Sequence, residues 1–211
     1  MSVWLVRHAQ DLGASEGRFG DLGLSDPGRR QARELGERLA KLPFRACLMS
    51  PLRRAGETTH LLLAGREVPV EVDPDLAEGS LGALTGLSRE QARLRHPADF
   101  RLGDGVIERI AASGRTAPGG ETRDAFLARA QRASERVARE LHADTPLLLV
   151  SHGGLLNYLL QILLGVPLRD EVPFAFEHAG VAVLRPKGGG AQRAPHVSLH
   201  FGVQGADQPN P

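Results

Sequence analysis

The sequence predicts an α/β fold: a three-layer sandwich with a mostly parallel central sheet and helices on both faces. Two observations lead there. Short apolar runs alternate along the chain with segments whose apolar residues recur at helical spacing. One of those runs, Pro146-Leu147-Leu148-Leu149-Val150, is apolar throughout, as a central parallel strand covered on both faces must be.

Taken in order, Val3-Trp4-Leu5-Val6 is a run of β-formers that leads into polar, Gly-bearing sequence, so a buried strand followed by a loop. Ser25-Asp26-Pro27-Gly28 reads as a helix start, with Ser25 as N-cap and Pro27 tolerated in the first turn. Ala32, Leu35, Leu39 and Leu42 then share one helical face. Ala46 to Met49 is a second strand, Leu52 to Leu63 a helix, and Val68 to Val72 a weaker third strand. Residues 74 to 120 are Gly-rich with at best a short helix from Ser88 to Arg95, an excursion over the top of the sheet. Phe126, Ala130, Ala133, Val137 and Leu141 mark the clearest helix. After the central strand comes an apolar helix from Leu155 to Leu164, closed by Gly165 and Pro167. Ala179 to Leu184 and His196 to Phe201 read as a final strand pair, with Lys187-Gly188-Gly189-Gly190 as the turn. The expectation is a single domain over residues 1–202 and a disordered tail over 203–211.

At 211 residues the chain can bury a core and a pocket. A net charge of +1 gives no bulk attraction to nucleic acid or to an acidic membrane, and neither is expected as a partner. Lysine appears only at Lys41 and Lys187, so almost all the cations are arginines; these suit bidentate phosphate binding or reflect codon bias. Cys47, the one cysteine, sits in an apolar run and reads as a small buried hydrophobe. The start of the chain is too short and too soon charged for a signal peptide, and no stretch approaches the roughly 18 apolar residues of a membrane span. The expected location is cytoplasmic.

In sheets of this kind sites form beyond the carboxyl ends of the strands. That rule selects Arg7-His8 after the first strand, Ser50-Pro51 after the second and Ser151-His152-Gly153-Gly154 after the central one. If those strands are neighbours, about 4.8 Å apart, two imidazoles can converge on one small group. A phosphate monoester bound there would need arginine donors, which Arg7 and Arg54 could supply, and backbone N–H groups at helix starts. A neutral imidazole can attack phosphorus, and a general acid must then protonate the leaving oxygen; Glu78, in Leu76-Ala77-Glu78-Gly79, is the candidate. By position alone each histidine reads equally as a hydrogen-bonded structural residue. His60, His96, His142, His178, His196 and His200 are set aside as structural. No pair with metal-ligand spacing, no P-loop and no G-x-S-x-G elbow is present, so neither metal nor cofactor is expected.

The motifs carry a further signal. Leu5-Val6-Arg7-His8-Ala9-Gln10 resembles the R-H-G signature of the histidine phosphatase superfamily, which includes the phosphoglycerate mutases. Leu24 to Ala32 is similar to that family's L-[ST]-x-x-G-x-x-Q-A, and Ser50 to Thr58 to its S-P-L-x-R-A-x-E-T. Leu76-Ala77-Glu78 with Gly82 and Gly86, Pro118-Gly119-Gly120-Glu121, and Val150 to Gly154 complete six motifs in order. The resemblance implies a phosphoglycerate mutase-like fold, with His8 as the phosphorylated nucleophile and Arg7, Arg54 and His152 around the phosphoryl oxygens. It implies Glu78 as proton donor and Arg18, Gln10, Ser15 and Gly153 as further substrate or phosphate contacts. No cofactor is implied; the implied partner is a small phosphate ester, and the chain would act as a monomer or homodimer.

Three departures from the family pattern bear on the substrate. The Gly after the nucleophile is Ala9, the following Glu-Thr is Gln10-Asp11, and the Asn six residues on is Ala14, with Ser15 as the nearby replacement. The segment after the acid, Gly79-Ser80-Leu81-Gly82-Ala83-Leu84, lacks the Arg and Tyr of the mutases, and the insertion that follows is short. The expectation is therefore a metal-independent phosphomonoesterase acting on a small metabolite. The alternatives are phosphoglycerate mutase activity, ribazole-phosphate hydrolysis, or a non-catalytic phosphate-binding module; the last would have to lack a chemical group, yet all five are present.

Overall fold

The computed structural model describes residues 2–97, 117–141, 143–168, 173–186 and, for the backbone, 196–200. Six strands form one sheet: β1 (Val3–Arg7), β2 (Ala46–Met49), β3 (Val70–Val72), β4 (Leu147–Ser151), β5 (Val181–Arg185) and β6 (His196–His200). Their order is β3-β2-β4-β1-β5-β6. The first four run parallel, β5 is antiparallel to β1, and β6 is antiparallel to β5. Among the described residues the helices are α1 (Leu12–Glu16), α2 (Asp26–Arg38), α3 (Arg53–Leu62), α4 (Arg89–Arg95), α5 (Arg123–Glu140) and α6 (Gly153–Leu164).

Two apolar clusters flank the sheet. Leu5, Leu147 and Leu149 pack with Ala130, Val137 and Leu159 of α5 and α6 on one face. Val6, Cys47, Leu148 and Val150 pack with Ala32, Leu35 and Leu62 of α2 and α3 on the other. Alternate residues of each strand serve opposite faces, which is why β4 is apolar from Leu147 to Val150 and buried at every position. The expected three layers are present. Cys47 is buried, and burial pushes its thiol up to about 12.

The expected elements are present with their ends shifted by a few residues, and α1 is an addition to them. Ser25 caps α2 by accepting from the Gly28 amide, but the helix stops at Arg38: Leu39 is its C-cap, and Leu42 lies in the turn before Pro43. A Cβ at Gly28 would stand 1.9 Å from the Gln10 carbonyl oxygen, so only glycine lets α2 approach the loop after β1 this closely. The excursion holds two 3₁₀ turns, Pro74–Leu76 and Gly82–Leu84, then α4, whose Ser88–Gln91 pair forms a capping box. It is tied to residues 17–20 by Phe19 N–H to Leu87 O, Gly86 N–H to Phe19 O and Arg89 N–H to Gly17 O, over a small cluster of Phe19, Leu84, Ala92 and Ala117. The rest of the excursion, residues 98–116, lies outside the described residues, as do the turn at Lys187–Gly190 and the tail. Among the described residues no helix is long and apolar enough to cross a membrane.

Candidate active site

The register of β1 on β4 pairs Arg7 with Ser151, so His8 and His152 are the first residues past two adjacent parallel strands. Their ring centroids are 5.0 Å apart. On the far side of β4 the Ser50 amide bonds to Val150 O, which brings the Ser50 hydroxyl to 2.7 Å from His152 Nε2. The site therefore lies across the ends of β2, β4 and β1, on one wall of a cavity of about 600 Å³.

His8 Nδ1 lies 2.8 Å from the Ala9 carbonyl oxygen, an acceptor only, so Nδ1 carries the proton and Nε2 holds the lone pair. Arg54 Nε donates to that Nε2 at 3.3 Å. Burial, then the Arg54 and Arg7 cations, hold the His8 imidazole well below the ordinary histidine range, against the opposing bond to Ala9. Motif neighbours keep the backbone in place: Thr58 Oγ1 accepts from the Ala9 amide at 3.0 Å and donates to the Arg54 carbonyl at 2.7 Å. Glu57 accepts from the Leu24 amide at 3.0 Å.

Arg54, in the first turn of α3, is also braced by Asp11, 3.5 Å from its Nε, and by Asp21 and Gly20 O, each 3.2 Å from its Nη1. Arg7 spends its Nη1 on Phe176 O and its Nη2 on His178 Nε2 at 3.0 Å. Its Nε is buried without a hydrogen-bond partner, and so is His152 Nδ1. The Leu52 amide donates to Ser50 Oγ, leaving that hydroxyl free to donate to His152 Nε2; Nδ1 is then an N–H with nothing to bind. Burial, then His8, Arg54, Arg7 and Arg129, keep His152 well below the ordinary histidine range.

Glu78 is set by the loop around it. Ser151 Oγ donates to Leu76 O at 2.8 Å, and Arg129 Nη1 donates to Asp75 O and Ala77 O at 3.0 and 2.7 Å while the same guanidinium forks onto Glu121. Glu78 Oε2 then accepts from the Gly154 amide in the first turn of α6 at 3.0 Å, and Oε1 from Gly79 at 3.1 Å. The Glu121 motif residue thus acts on the site through Arg129.

Arg7, His8, Arg54, Glu78 and Arg18 all line the cavity, whereas His152, fully buried beside His8, is not among the lining residues. Gly153 packs beside Arg7, where an added Cβ would be 3.5 Å from Nε. Gln10 and Ser15 are not among the lining residues. Gln10 Oε1 accepts from Ser25 Oγ at 2.8 Å, and the exposed Ser15 donates to Leu12 O at 3.1 Å. Several lining residues escaped sequence reasoning, Asp11 and His178 among them. Asp11 is the N-cap of α1, and only its sequence position next to Gln10 hinted at it. His178, set aside as structural, has its ring 5.5 Å from that of His8. Among the described residues no group of three His, Cys, Asp or Glu side chains is placed to hold a metal ion.

This sheet order, with histidines and arginines gathered at its carboxyl edge, defines a phosphoglycerate mutase-like protein. The alpha-ribazole phosphatase of Shigella flexneri shares the fold, with a TM-score of 0.81 at 24% identity over 97% of this chain and 100% of its own. The chain belongs to the histidine phosphatase superfamily, branch 1, whose family model matches residues 3–195. An adenosylcobalamin/alpha-ribazole phosphatase of Salmonella typhimurium is 32% identical over 84% of this chain and 86% of its own. A 2,3-bisphosphoglycerate-dependent phosphoglycerate mutase of Gloeobacter violaceus is 31% identical over 82% and 84%. A mycobacterial glucosyl-3-phosphoglycerate phosphatase, in complex with VO3, superposes with a TM-score of 0.71 at 26% identity, covering 95% of this chain and 97% of its own. Relatives of both kinds mark the chain as a phosphatase or mutase enzyme.

Proposed function

We propose that the protein is a metal-independent phosphomonoesterase that works through a phosphohistidine on His8. The observation that carries this is the state of His8: neutral, tied at Nδ1, and presenting an Nε2 lone pair beside Arg54, with the unpartnered donors Arg7 Nε and His152 Nδ1 close by. Such buried donors are costly without a partner, and a phosphoryl group has three oxygens to supply one.

Nε2 attacks phosphorus, the P–O bond to the leaving group breaks, and Glu78 delivers its proton to that oxygen. Water then attacks the phosphohistidine, gives its proton to Glu78, and inorganic phosphate leaves with His8 restored. Arg7, Arg54 and His152 hold the transferred oxygens through both steps, and Arg18 at the cavity mouth meets the leaving group. Hydrolysis rather than transfer to a second acceptor is supported by the segment after Glu78, where Gly79, Ser80 and Leu81 stand without an Arg or Tyr, although Arg89 and Arg123 line the same cavity. Ribazole phosphate is one small ester to test, on the strength of the relatives.

The test is release of phosphate from p-nitrophenyl phosphate in the presence of chelator, with an acid-labile label on His8. Full activity in His8→Ala would end the reading. A coupled assay with a bisphosphoglycerate primer checks the mutase alternative; substantial turnover there would reverse the choice.

A further inference from the structure

A third histidine reaches the site from an unexpected direction. Because β5 runs antiparallel to β1, the residues before β5 arrive at the edge that the parallel strands leave. The turn of residues 176–180 is fastened there on both sides of the nucleophile: Arg7 N–H donates to Gly180 O at 3.1 Å, and Ala179 N–H to His8 O at 3.2 Å. Ala179 pays for this with a φ of +57°, uncommon for a residue with a Cβ, so the turn is held in shape by its bonds to β1. The same turn takes two of the three nitrogens of Arg7, through Phe176 O and His178 Nε2.

A guanidinium only donates, so His178 Nε2 must accept and its proton must sit on Nδ1. The imidazole can hold Arg7 only while neutral. The charged and titratable groups that face it from other elements are Arg7 at the end of β1, His8 beyond it, and Arg54 from α3. From its own turn, Glu177 acts on the Arg7 charge. Two fixed cations thus oppose a third charge.

We infer that His178 is a positioning residue: neutral, it holds the Arg7 guanidinium in the orientation that leaves Nε free for the phosphoryl group, and its protonation releases that hold. Burial, then Arg7 and Arg54, push His178 down to about 4, so the hold persists at neutral pH and fails in acid. The inference rests on the phosphatase reading of the His8 site.

The test compares wild type with His178→Ala and His178→Gln in p-nitrophenyl phosphate hydrolysis from pH 3 to 8 and in vanadate binding. Glutamine keeps an acceptor at the Nε2 position for Arg7 but cannot titrate. His178→Ala should weaken vanadate binding and lower kcat/KM by about tenfold, the worth of one charge-assisted hydrogen bond. His178→Gln should recover most of that loss and keep its activity further into acid than wild type. Wild-type binding, kcat and pH profile in the alanine variant would overturn the inference, as would equal losses in both variants with a lowered Tm. Absence of hydrolysis and of vanadate binding in the wild type would instead sink the phosphatase reading itself.

Discussion

The amide of Gly154 donates to Glu78 Oε2 at 3.0 Å, and a Cβ at residue 154 would stand 2.7 Å from Glu78 Oε1. Gly154→Ala must therefore push the carboxylate out of place, while the first turn of α6 tolerates alanine. The expected result is a fall in kcat that is larger for sugar-like alkoxide leaving groups than for p-nitrophenolate, which needs little protonation. Glu78→Gln should show the same pattern. Equal losses across leaving groups in both variants would place the acid elsewhere.

Ser50 is predicted to act through His152. Removing its hydroxyl in Ser50→Ala frees His152 to carry its proton on Nε2, which turns Nδ1 from donor to acceptor against the phosphoryl oxygen. A drop of about tenfold or more in kcat/KM is expected, with a stability loss of about 1–3 kcal/mol for the buried nitrogen left unpaired. Steady-state kinetics beside urea unfolding separate the two effects.

Arg129→Ala should be worse for stability than its distance from His8 suggests. It removes the donor to two carbonyls of the Glu78 loop and leaves the Glu121 carboxylate without its forked partner. A loss of about 3 kcal/mol, the range for breaking a well-shielded ion pair, is expected in urea unfolding. The acid step should also slow; a variant as stable and as active as wild type would contradict this view of the loop.

Acid should destabilise the fold before most carboxylates titrate. His8 and His152 sit well below the ordinary histidine value of about 6.5 in the folded chain and return to it on unfolding. Between the two values the unfolded chain binds more protons, so stability is fully present above about pH 6.5 and is lost as the pH falls below it. Each histidine contributes up to about 1.4 kcal/mol per pH unit in that window. Unfolding free energy measured from pH 8 to 5 checks the slope, which should shrink in His8→Ala.

The sequence by itself determined the layers and the positions of five groups. The apolar run of β4 required cover on both faces, and that placed His152 at the end of a central strand. The β-forming run before Arg7 did the same for His8, and the motifs around Arg54 and Glu78 named the remaining members. These signals are local: burial on two faces, helical spacing and capping each leave their mark within a few residues. Tertiary structure alone decided what stands next to what. Strand order made β4 the neighbour of both β1 and β2, so that Ser50 reached His152. The reversed direction of β5 delivered His178 to Arg7, where a rule that looks only past strand ends could not find it. Gln10, two residues beyond His8 in the chain, was turned away onto Ser25, while Asp11 faced Arg54. Strand direction and pairing are fixed by contacts between residues far apart in the chain, and no short stretch of sequence records them.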